Sequence, residues 1–105
     1  MTYTCIFQIQ YLSDTCEAAN YQETSTNVVE AVFSRRMQCL VTLTGTGRGI
    51  VFKLKNSHLL AVMKDAVRKI HKTAKLPDIE KWIQKYLRHA SDRSGGIPRA
   101  EKRQL

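Results

Sequence analysis

KLKNSHLLAVMKDAVRKIHKTAKLPDIEKWIQKYLRH, Lys53 to His89, is the stretch around which the rest of the chain is arranged. Leu59, Val62, Met63, Ala66, Val67 and Ile70 recur at the i, i+3, i+4, i+7 spacing of one helix face. Asn56 or Ser57 stands where a side chain caps that helix. Lys64, Arg68, Lys69, His71 and Lys72 lie off the stripe. Lys75-Leu76-Pro77 ends the helix, because proline disfavours helical geometry in the residue before it. Pro77 also opens a second helix, where its missing N–H costs nothing, and Asp78 and Glu80 suit the positive first turn. Ile79, Trp82, Ile83, Tyr86 and Leu87 form its apolar stripe, with Lys81, Gln84, Lys85 and Arg88 opposite. The stretch predicts two basic amphipathic helices that turn a positive face outward.

Towards the N-terminus, two β-rich runs flank a glycine-rich loop. Gln38 to Thr44 places Cys39, Val41 and Leu43 inward and Thr42 and Thr44 outward. Ile50 to Lys55 places Ile50, Phe52 and Leu54 inward and Lys53 and Lys55 outward. Gly45-Thr46-Gly47-Arg48-Gly49 joins them as a hairpin loop. Its glycines supply positive φ, and a second role as an anion cradle with Arg48 is compatible with that. It is no P-loop, since no Lys-Ser or Lys-Thr follows at the needed spacing.

Farther upstream, Asn27 and Glu30 resemble a capping box and predict a helix over 27–36, with Val28, Val29, Val32 and Phe33 on one face. Ser13 to Ser25 is polar and reads as a loop, with at most a weak strand over 18–22. Thr2 to Leu12 alternates, with Tyr3, Cys5, Phe7, Ile9 and Tyr11 on one face and Thr4, Gln8 and Gln10 on the other. That is the period of a half-buried strand, interrupted at Ile6 and Leu12. Towards the C-terminus, 91–105 loses all periodicity and holds Gly95, Gly96, Pro98, Arg93, Arg99, Lys102 and Arg103, the composition of a disordered basic tail.

The elements therefore read strand, helix, strand, strand, helix, helix. The expected fold is α+β: one domain over 1–90, a small antiparallel sheet with helices packed on one face. A free sheet edge makes a homodimer plausible. A chain of 105 residues is long enough to bury a core without staples.

Charge is segregated along the chain. Residues 1–34 contain no Lys or Arg, only Asp14, Glu17, Glu23 and Glu30. Residues 35–105 hold 17 basic residues against five acidic ones, a net of +12. Such asymmetry points to a polyanionic partner, against the plainer reading of a merely soluble surface. Lys64, Arg68 and Lys72 follow at i, i+4, i+8, and Lys81, Lys85 and Arg88 make a second row. Together with Arg48, Lys53 and Lys55 these are the expected nucleic-acid contacts, acting on phosphates without reading bases. Asp65 and Glu80 are the acidic residues near enough to dilute the rows. Trp82 and Tyr86 read as core, with base stacking as a second role; Tyr3, Phe7 and Tyr11 read as core.

Cys5, Cys16 and Cys39 are too few and too widely spaced for a disulfide framework or a zinc knuckle. Reduced thiols suit an intracellular, cytoplasmic site. The N-terminus lacks the pattern of a signal peptide, and no apolar run nears the roughly 20 residues that span a bilayer. His58, His71 and His89 have no ligand spacing, and the carboxylates are scattered, so neither metal, cofactor nor catalysis is expected. The expected function is non-enzymatic nucleic-acid binding, RNA or duplex, through a basic face. The alternative is an adaptor or inhibitor that docks on an acidic protein.

Overall fold

The computed structural model describes residues 3–46, 49–98 and 101. The chain folds as α1 (Tyr3–Cys16), α2 (Tyr21–Val32), a short α3 (Arg35–Gln38), β1 (Val41–Thr42), β2 (Phe52–Lys53), α4 (His58–Ile70), α5 (Leu76–Arg88) and one 3₁₀ turn (Ala90–Asp92). This corrects the α+β expectation. The molecule is mostly helical, and its only sheet among the described residues is a two-residue parallel pair with Val41 opposite Phe52 and Thr42 opposite Lys53.

The first correction is at 3–12, which is helical where alternation over 2–12 predicts a strand; Thr2 lies outside the described residues. Leu12, which interrupts the alternation, is buried, together with Ser13 and Cys16, and Ile9 packs against the same core. Those four recur at i, i+3, i+4, i+7, a helical face that shares only Ile9 with the alternating one. Phe7 and Tyr11, expected inside, are 69% and 65% exposed. The side chain of Tyr3 lies outside the described residues. The packing of α1 is chiefly against α4 and then α2, and this contact selects the helical reading.

The second correction is at 13–25, read as a loop. The end of α1 and the first turns of α2 occupy it. Asn20 caps α2, its side chain accepting from the Glu23 N–H at 2.8 Å. Asn20 and Glu23 have the same spacing as Asn27 and Glu30, so the cap pattern occurs twice and the earlier copy is used. Starting there lets Thr24, Ser25, Val28 and Val29 be buried on one side of the helix. The helix stops at Val32, not at Arg36; Phe33 is extended and buried, and Ser34 caps α3.

The antiparallel hairpin is also overturned. Leu43 and Leu54 are buried in the helical core, which leaves no broad sheet face to cover. An isolated pair of strands is marginal, and here it shrinks to two residues each. Ile50 is partly exposed, and Phe52, expected inward, is 37% exposed. The edge available to a second copy is correspondingly short.

The two C-terminal helices form where expected. Ser57 caps α4 by accepting from the Leu60 N–H at 3.1 Å, and Leu60, Val62, Met63, Ala66 and Val67 are buried. Lys75 is the N-cap of α5, Pro77 lies in its first turn, and Ile79, Ile83 and Leu87 are buried. Helices α2 and α4 sit between α1 and α5, and the apolar stripes of all four meet in one core. Ser91 to Pro98, the start of the stretch read by composition as a disordered basic tail, packs on this body. Ile97 is 1% exposed beside Cys39 and Ala90, and its N–H points at the Cys39 Sγ at 3.1 Å. A Cβ at Gly96 would lie 2.6 Å from the Ala90 carbonyl oxygen, so the close approach needs glycine. Among the described residues no helix is long and apolar enough to cross a membrane.

Candidate nucleic-acid interface

Helix α5 sorts its residues by period. Because Ile79, Ile83 and Leu87 face the core, Lys81, Lys85 and Arg88 face water, and all three are exposed. Among the described residues none of the three stands in an ion pair. Trp82 lies at the border between the two faces and is half-buried. Its indole Nε1–H donates to Thr26 Oγ1 on α2 at 3.1 Å. The Lys85 ammonium lies 5.4 Å from the indole centroid, within cation–π range. Tyr21, Asp78, Lys81, Trp82 and Lys85 line a cleft of about 280 Å³ between α2 and α5. A second cleft of about 520 Å³ borders Trp82 and is otherwise lined by Asn20, Gln22, Glu23, Thr26 and Asn27.

The row expected on α4 is not continuous. Lys64 turns to α5 and pairs with Glu80 at 3.5 Å, each side chain about a quarter exposed (23% and 25%). Arg68 is exposed on the helix. Lys72 is exposed but lies past the C-cap His71, so the helical register no longer aligns it with Arg68. Lys69 donates to Gln10 Oε1 on α1.

Of the loop residues, Arg48 lies outside the described residues. Lys53 and Lys55 are exposed. The stem of Lys53 runs along Gly45, where an added Cβ would meet the Lys53 Cβ at 3.0 Å. Arg88 and Gln84 reach towards this loop and share a notch of about 220 Å³ with Thr42, Thr44 and Thr46. The Thr42 hydroxyl accepts from the Gly45 N–H at 2.9 Å, and the Thr44 and Thr46 hydroxyls are 2.8 Å apart. Two features that are distant in sequence, the α5 row and the threonine-rich loop, thus adjoin at Arg88.

Other cations are held by the fold. Glu30 on α2 accepts from Arg35 Nε at 2.8 Å, from Gln38 Nε2 at 3.2 Å and from the Tyr86 hydroxyl. Burial works to raise the Glu30 carboxyl, but the hydrogen bonds from Tyr86, Arg35 and Gln38 outweigh it and hold it below the usual carboxylate range. Burial first, and then the bond to Glu30, push the Tyr86 phenol above its usual value. Arg93 stacks on the Tyr86 ring at 3.7 Å and donates to Gln38 Oε1 at 2.7 Å and to the Tyr86 carbonyl at 2.8 Å. Arg36 reaches Glu101 at 4.0 Å. Among the described residues no group of three or more His, Cys, Asp or Glu side chains could hold a metal ion.

The sequence misses the convergence at Trp82. Its position in the stripe of α5 marks it as core, and nothing local signals that Tyr21 and Thr26 of α2 meet it. Comparison with protein-family models, with curated proteins and with solved structures finds no match to this chain.

Proposed function

We propose that this protein binds nucleic acid, without catalysing a reaction on it, through the outward face of α5. The observation that carries the reading is the set Lys81, Lys85 and Arg88, exposed on one helix face and outside every ion pair among the described residues. Neighbours on such a face are roughly 6 Å apart along the axis, from the 1.5 Å rise per residue. Cations at that spacing can follow a phosphate backbone, and such contacts give affinity without sequence readout. Lys53 and Lys55 near the threonine-lined notch, Arg68 on α4, and Lys72 just past its C-cap are secondary contacts. RNA is favoured over sequence-specific DNA reading, because no helix-turn-helix spacing is present in the sequence. A cytoplasmic location belongs to the same proposal and is supported by Cys16 and Cys39, which are buried free thiols.

The test is a titration of the full chain against labelled RNA and DNA at several salt concentrations. Replacing Lys81, Lys85 and Arg88 by Glu should weaken binding and flatten the salt slope, each lost phosphate contact removing about 0.7–0.9 from it. Tight binding by that variant with an unchanged slope would refute the assignment.

A second reading, an adaptor or inhibitor docking on an acidic protein, draws on the same cations and on Phe7 and Tyr11, which stand exposed on α1. Capture experiments with and without nuclease separate the two. Bound material that survives nuclease favours the protein partner.

A further inference from the structure

We infer that the ligand is single-stranded nucleic acid, with an unpaired base seated against Trp82. The inference rests on the proposed function and narrows it. Trp82 borders a cationic cleft on one side, which Lys81, Lys85 and Tyr21 also line. It borders a cleft of amides, hydroxyl and carboxylate on the other, where Asn20, Gln22, Glu23 and Asn27 line a space of about 520 Å³. That volume falls within the roughly 300–1,000 Å³ of clefts that hold small ligands. Aromatic side chains set among cations are the combination that holds unpaired strands: the cations take the backbone and the rings take the bases. A duplex keeps its bases stacked and paired inside, so its backbone would ride over Lys81 and Lys85 and leave Trp82 untouched.

The indole is also held in place before any ligand arrives. Its N–H is committed to Thr26 Oγ1 at 3.1 Å, and Ile79 and Ile83 on the same helix are fully buried. A fixed ring loses little freedom on binding. The Lys85 ammonium, 5.4 Å from the ring centroid, is the group that shifts towards a phosphate as the base arrives. The carboxylates Asp78 and Glu23, one in each cleft, can accept from amino and imino groups of a base edge, while the amides of Asn20, Gln22 and Asn27 can donate or accept.

The chain has a single tryptophan, so its fluorescence reports this position alone. The experiment titrates the full chain with a single-stranded oligouridylate and with an RNA duplex of equal length. Tryptophan emission and the anisotropy of the labelled nucleic acid are read together. The expected result is quenching by the single strand that saturates with the anisotropy, and little quenching by the duplex. Trp82→Phe keeps a ring and should bind within about three-fold of the parent, whereas Trp82→Leu keeps apolar bulk and should bind about ten-fold more weakly or worse. Circular dichroism melts confirm that both variants fold, and quenching of the unaltered protein tests the inference without either. Salt-dependent binding with no quenching, equal quenching by the duplex, or Trp82→Leu binding like the parent would each overturn the stacked base and leave the electrostatic reading standing. No anisotropy change with either nucleic acid would overturn both.

Discussion

Glu30 shows how one carboxylate can organise several elements. It lies on α2 and receives hydrogen bonds from α3 and α5, while Arg93 braces the same group through Gln38 and Tyr86. Gln38 is fully buried, yet its amide is satisfied at both ends, donating to Glu30 and to the Phe33 carbonyl and accepting from Arg93. Because folding lowers the Glu30 pKa, the group stabilises the fold above its unfolded value near 4.5, and this contribution is lost as pH falls through the folded value. Replacing Glu30 by Ala should cost about 1–3 kcal/mol at pH 7, since the buried Gln38 amide and the partly buried Tyr86 hydroxyl lose an acceptor. Urea unfolding of parent and variant should show the gap narrowing as pH falls below 4.5. A gap independent of pH would mean that the charge contributes nothing. No periodic pattern marks this group, because its members lie up to 63 residues apart, from Glu30 to Arg93, and meet only when the helices pack.

Helices α4 and α5 are legible along the chain because their signals are local. Ser57 and Pro77 mark the two starts, and the stripes repeat over several turns. Helix α1 is not legible in that way. Its apolar residues are numerous enough to satisfy both a period of two and a period of 3.6, and only the surface of α4 chooses between them. The two readings make opposite predictions about mutants. Leu12→Ala removes a buried side chain and should destabilise by about 2–5 kcal/mol, whereas Phe7→Ser and Tyr11→Ser on the exposed side should each stay within about 0.5 kcal/mol. Thermal melts of the three variants test this, and the reverse ranking would restore the strand. The doubled Asn-x-x-Glu pattern at Asn20 and Asn27 misleads for a related reason. Either asparagine is a competent cap, and the choice is made by which start lets Thr24 and Val28 be buried against α4 and α5.

At the scale of the whole molecule, the cations divide between the fold and the surface. Arg35, Lys64 and Arg93 bind elements together, and Lys81, Lys85 and Arg88 remain on one outward face. Lys64→Ala should therefore leave nucleic-acid affinity within about two-fold at fixed salt, while Lys85→Ala should weaken it measurably. Loss of one phosphate contact is the relevant event in the second case and not in the first. Parallel binding and melting curves for the two variants check this, and equal losses of affinity would return Lys64 to the interface. Taken alone, the sequence was enough to place α4 and α5 and to show that positive charge belongs to the later two thirds of the chain. These properties depend on short-range spacing and on residue identity, which need no partner surface. Tertiary packing alone decided that 3–12 is helical, that 13–25 caps a helix, that 91–98 lies against the body, and that Lys64 is taken up by an ion pair to α5. Each of those outcomes is a choice between local conformations of similar free energy, and burial against a distant segment supplies the difference.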